Sequence, residues 1–155
     1  MFGRARVLVA LLVGACSGDP GEAPAAFDPC AGLVLVPAEG ATAAERASIL
    51  AAVAMWKERA GVVLSMEGEA PATLAVHFRD APLVFLGIYE DGGIVVNHGL
   101  DDDAARTVVL AHEIGHAFGL VHVDDPASVM RPGNVSVAPA AVDVAALAAL
   151  WGSCR

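Results

Sequence analysis

His112, Glu113, His116, Gly119 and His122 stand in the order His-Glu-x-x-His-x-x-Gly-x-x-His, and few chain paths can use all five residues at once. On an α-helix His112 and His116 are four positions apart, so they stack on one face and both imidazoles can reach one ion. Glu113 falls beside them, placed to reach a water on that ion and not the ion itself, which is the mechanical reading of His-Glu-x-x-His as zinc ligands plus general base. Gly119 can take φ > 0 without steric cost, letting the chain turn sharply out of the helix so that His122 returns as a third ligand. Three neutral imidazoles leave the fourth tetrahedral position of zinc open to water, and an open position implies catalysis. A bare His-Glu-x-x-His can arise by chance on an amphipathic helix; the fit at Gly119 and His122 argues against chance here. Asp124, Asp125 or Asp143 could formally supply the third ligand. No glutamate follows Glu113, which excludes arrangements that recruit one downstream.

On these residues the sequence resembles the metzincin metallopeptidases, whose extended motif is matched at all five positions. Ser128-Val129-Met130-Arg131-Pro132 is similar to the metzincin Met-turn, a tight turn under the zinc ligands, and Met130 follows His122 at the matrixin-like spacing of eight residues. Pro132 holds the place where astacins and serralysins have a tyrosine that can ligate zinc. Val123 matches none of the residues that usually follow the third histidine, which leaves the subfamily open. The resemblance implies a mixed α+β zincin fold: a twisted five-stranded, mostly parallel sheet with one antiparallel edge strand, two long helices, the Met-turn and a C-terminal helix.

The chain has 155 residues, one domain on length, and 56% hydrophobic residues are enough for one core. Its formal charge of −9, with no basic cluster, argues against nucleic acid and against electrostatic docking on anionic lipid. Residues 1–15 carry Arg4 and Arg6 followed by an apolar run too short to span a bilayer, which reads as a signal peptide. Val13-Gly14-Ala15-Cys16 resembles the bacterial lipobox, so Cys16 is expected to be the lipidated first residue of an exported, envelope-anchored protein; the alternative is an ordinary secretory signal cut near Ala15. Ser17 after the cysteine is compatible with an outer-membrane address. Residues 16–29, rich in Pro, Gly and Ala, read as a flexible tether, and 30–155 as the catalytic domain. With Cys16 lipidated, Cys30 and Cys154 are left as a pair at the two ends of the domain and are expected to form a disulfide, with a metal site as the rival reading.

Strands are expected at 32–37, 62–66, 73–78, 83–89 and 93–97, the last two joined by an Asp-Gly hairpin turn. Thr42 and Glu45 read as a capping box opening a helix that ends at Gly61, with Trp56 in the core. The motif helix is expected over about 102–118, with Val108, Ala111 and Gly115 towards the sheet. Asp101, Asp102 and Asp103 read as its N-terminal cap and charge partners and not as calcium ligands. His77 and His98 lack the full pattern of a structural zinc site, so one catalytic zinc is expected and neither structural zinc nor calcium is supported. Residues 133–138 are expected to wall a specificity pocket, and Val142, Ala145, Ala146, Ala149 and Leu150 to mark one face of a last helix. Asn134-Val-Ser136 is formally a glycosylation triplet, disregarded for a bacterial lipoprotein.

The resemblance further implies that the strand carrying Leu86, Gly87 and Ile88 is the edge above the cleft, where an extended peptide can add itself as another strand. The plainer reading is that this hairpin only completes the sheet. The expected function is a monomeric zinc-dependent endopeptidase acting on extracellular or envelope proteins, with Glu113 as general base and the membrane as partner only through the lipid. The alternative from another class is a surface-anchored, zinc-containing binding or inhibitory module without turnover.

Overall fold

The computed structural model describes residues 27–154. The expected leader and Cys16 lie outside them. Five strands, β1 (Leu33–Pro37), β2 (Leu64–Ser65), β3 (Ala72–Arg79), β4 (Gly87–Glu90) and β5 (Gly93–Asn97), form one sheet in the order β2-β1-β3-β5-β4. β1 pairs in parallel with β2 and β3, β3 in parallel with β5, and β4 antiparallel with β5 at the edge. The mostly parallel sheet with one antiparallel edge strand is the architecture that the resemblance implies.

Helices α1 (Ala43–Ala60) and α2 (Asp103–Ala117) pack against each other, α2 also touching β4 and β5, while α3 (Ala141–Trp151) packs on α1. Alternation in β3 and β5 places Leu74, Val76, Ile94 and Val96 in the core. Trp56 is fully buried, its indole N–H donating to the Ala111 carbonyl at 2.8 Å and its ring set edge-on to Phe118 at 6.0 Å. The α1 capping box forms as the sequence implies: Thr42 Oγ1 accepts from Glu45 N, and Glu45 returns to Thr42 N at 2.7 Å. Gly61 then ends α1 at φ 66°, a left-handed cap.

Cys30 and Cys154 are bonded, with S–S 2.01 Å, tying the start of the domain to the end of α3. The folded part begins before Cys30: Phe27 N–H donates to the Ala117 carbonyl at 2.8 Å, and Phe27 packs on the core. Two strands are shorter than expected. The stretch expected over 62–66 pairs only at Leu64–Ser65. Residues 83–86 are not strand, because the Asn97 side-chain amide donates to the carbonyls of Ala81, Pro82 and Phe85 and holds this stretch as a loop. Leu83 and Val84 stand exposed on it.

Candidate metal centre

α2 opens at Asp102, whose carboxylate accepts from Ala105 N at 2.8 Å, and Asp103 pairs with Arg106 in the first turn at 2.6 Å. These acids serve the helix as expected. Leu120 N–H donates to the Gly115 carbonyl at 2.9 Å and Gly119 N–H to His116 at 2.8 Å, the two bonds of a Schellman turn, with Gly119 at φ 89°. That turn reverses the chain and brings His122 back over the helix.

The three imidazoles converge: each Nε2 stands 3.1 Å from the other two. His112 Nδ1 faces the Val129 carbonyl at 2.7 Å and His116 Nδ1 faces the Leu120 carbonyl at 2.8 Å. A carbonyl has no proton to give, so each of these Nδ1 atoms carries one and each Nε2 presents a bare lone pair. Lone pairs aimed at one another at this distance repel until a cation accepts them. Nitrogens about 2.0–2.1 Å from a tetrahedral zinc stand roughly 3.3 Å apart, so the donor set fits the ion in both chemistry and spacing. The carbonyls orient the rings as ligands require.

Burial pushes all three imidazoles below their ordinary value, helped at His112 by the neighbouring His122; at His116 burial and then the adjacent His112 lower it to about 4. Neutral rings are the metal-binding form. In the metal-free protein each folded pKa lies below its unfolded value, so the unfolded chain binds more protons and stability falls as pH drops from about 6.5 towards 4. Glu45 adds to the loss only below its ordinary value of 4.5, since hydrogen bonds from Thr42 and His98 outweigh burial and hold it down. Chelator-treated protein is therefore expected to melt at lower temperature at pH 5 than at pH 7, a difference that thermal scans at the two pH values check; an unchanged or higher midpoint at pH 5 would contradict it.

Glu113 is buried beside the ligands, 1% exposed, against the edge strand. A Cβ on Gly87 would meet Val109 at 2.9 Å and the Glu113 carboxylate at 3.1 Å, so only glycine lets β4 lie this close to the helix. Of the expected edge residues, Gly87 and Ile88 are in β4, and Leu86 immediately precedes it while its carbonyl still accepts from Asn97 N at 2.9 Å. Gly115 does not face the sheet as expected. A Cβ there would overlap the Met130 sulfur and press on Trp56 at 3.3 Å, so the missing side chain makes room for the Met-turn.

Met130 is buried under the ligands. What holds its turn is Asp143, on α3, which is not a zinc ligand: its carboxylate accepts from Ser128 Oγ, from Val129 N at 3.1 Å and from Ala140 N at 2.8 Å. Ser128 Oγ in turn accepts from Met130 N at 2.9 Å. Asp143 therefore fixes the peptide whose carbonyl orients His112. Asn134 is a staple and not merely a sequence triplet, its amide bonding to the Val137 carbonyl at 2.6 Å and accepting from Ser136 N at 3.1 Å and Val137 N at 2.9 Å. Charge-assisted hydrogen bonds contribute about 1.5–3 kcal/mol each, so Asp143→Asn, which must turn a donor towards these donors, is expected to cost about 2–3 kcal/mol and to weaken zinc binding. Denaturant unfolding with a zinc competition titration checks both; wild-type values in both would refute the clamp.

His77 and His98 stay apart from the cluster. They line a separate depression of about 330 Å³ with Arg79 and Asp80, and His98 Nδ1 bonds Glu45 at 2.7 Å. Among the described residues the group able to hold a metal is His112, His116 and His122.

No curated protein matches the chain. The family model described as Matrixin matches residues 91–152, a stretch that contains every ligand, the Met-turn and α3. Over those residues the chain is similar to the matrixins, and that match together with the convergence of the three histidines of the extended motif on one point supports a zinc metallopeptidase.

Proposed function

We propose that the protein is an endopeptidase of the cell envelope, in which Glu113 is the general base and β4 receives the substrate. The observation that carries the reading is the placing of a buried carboxylate between the three-histidine cluster and the edge strand, in contact range of Gly87. Zinc, when bound, supplies a Lewis acid that polarises a carbonyl and lets water lose a proton near neutral pH. The rest is work for the chain's own residues. Glu113 takes a proton from the attacking water and passes it to the nitrogen of the breaking C–N bond, so the amine leaves neutral. Among the described strands β4 is the edge of the sheet, paired with β5, and an extended peptide adding itself along β4 would run beside Glu113, whose carboxylate lies in contact range of Gly87. Gly87, with no side chain, lets β4 lie close against that carboxylate.

Export and anchoring belong to the same reading. The disulfide Cys30–Cys154 is expected of an oxidising compartment, which agrees with a leader over 1–15 and a lipid on Cys16. Envelope or extracellular proteins are then the accessible substrates. Incubation of the protein with a mixture of blocked peptides, read by mass spectrometry, tests the endopeptidase reading: internal cuts abolished by a chelator are expected, while removal of terminal residues alone would refute it. Zinc retained with no cleavage of any peptide would favour the binding module, against which the intact Glu113 speaks.

A further inference from the structure

Behind the third-ligand turn lies an apolar face that the metal chemistry does not use. A depression of about 350 Å³ is lined by residues including Leu120, Val121, Val123, Val142, Ala146 and Leu150, while His122 turns its ring the other way, into the metal cluster. Val121 is 72% and Leu150 56% exposed, and Val123, Val142 and Trp151 are each 37% exposed. Single apolar residues on a surface are ordinary; a contiguous set around a depression marks a docking site.

The path of the chain indicates what covers this face. Phe27 N–H is bonded to the Ala117 carbonyl and Trp151 Nε1–H to the next carbonyl, Phe118, both at 2.8 Å. The point where the described chain begins is therefore beside Trp151, at the margin of the apolar face. Ten residues, and so eleven Cα–Cα steps, lie between Cys16 and Phe27, a reach of at most about 40 Å. A lipid on Cys16 would hold this face close to a bilayer. The intervening residues 17–26 are Ser, Gly, Asp, Pro, Glu and Ala, with no large aliphatic or aromatic side chain to fill an apolar groove themselves. Tryptophan beside aliphatic residues suits the boundary between hydrocarbon and water. The chain's charge of −9, with Asp124 and Asp125 next to Val123, favours a zwitterionic over an anionic surface.

We infer that the face formed by Val121, Val123, Val142, Leu150 and Trp151 seats the protein on a zwitterionic lipid surface. The inference rests on the anchoring at Cys16 for the local concentration of lipid, and on the described residues for the contact. Seating on this face would orient the domain, with the ring of His122 and the metal cluster directed away from the lipid.

The test uses the full chain from a host that processes lipoproteins, mixed with phosphatidylcholine vesicles whose acyl chains are brominated. Bromine quenches indole at the bilayer, and Trp56 is fully buried, so Trp151 is the reporter. The wild-type chain is expected to co-float with Trp151 emission quenched. Trp151→Phe should co-float without that quenching, and the Val121→Ser, Leu150→Ser double variant should co-float with the quenching lost. A wild-type chain that co-floats with no more quenching than Trp151→Phe overturns the inference. A lipid-free dimer in sedimentation, dissolved by the same double substitution, also overturns it, because a second copy then covers the face. If the intact mass shows no acyl group, anchoring alone fails; quenching of that chain at millimolar lipid then decides the face, its presence supporting the inference and its absence overturning it.

Discussion

Glu113→Gln is expected to keep zinc and to lose about 10²- to 10⁴-fold in the rate of peptide hydrolysis, the range for removal of a general acid–base group. Glutamine has the size and shape of glutamate, so the close packing against Gly87 survives, and none of the three ligands is touched. What the amide cannot do is accept a proton from water and hand it on. The effect should therefore fall on the chemical step and not on metal content. Zinc by atomic absorption and kcat/KM on one cleaved peptide, measured on the same sample, separate the two. Wild-type turnover in the zinc-loaded variant would remove Glu113 from the mechanism.

Replacing Cys30 and Cys154 together by serine is expected to cost about 5 kcal/mol, from the chain entropy of a loop closed across 124 residues. Against a total of about 5–15 kcal/mol for a domain of this size, that is a third or more of the stability. The position of the bridge matters as much as the loop length. Cys30 follows Pro29, whose carbonyl accepts from Val63 N at 2.8 Å, and Cys154 follows α3, the helix that carries Asp143. Loosening that end should reach the Met-turn and, through the Val129 carbonyl, His112. The double variant is expected to shift the urea midpoint down and to release zinc at lower denaturant; an unchanged midpoint would show that the bridge constrains little.

The motif was legible because its information is local. Helical spacing aligns His112 and His116, glycine's freedom at Gly119 turns the chain, and the Met130 spacing follows a resemblance carried by a few residues. Asp143 was not legible as the clamp of the Met-turn, because its partners are brought to it only when α3 folds back under Ser128. A signal was present: a single acid, three residues after Ala140, opens an otherwise apolar helix, where it can cap its own first turn. Residues 83–86 failed differently. Their apolar run reads as strand, but Asn97, from a neighbouring strand, takes the carbonyls that a ladder would have used. The family match itself begins at Asp91. Metal chemistry fixes residue identity there, whereas the earlier half supplies packing around Trp56 and Leu35, which many combinations of similar volume can provide.

The central claim, that the three-histidine cluster holds the zinc on which hydrolysis depends, is tested most directly by measuring zinc content and peptide cleavage together through a cycle of chelation and re-addition. One zinc per chain, with cleavage lost as it leaves and restored as it returns, and neither zinc nor cleavage in His122→Ala, is the expected result. Cleavage that persists after the zinc has been removed would contradict the account.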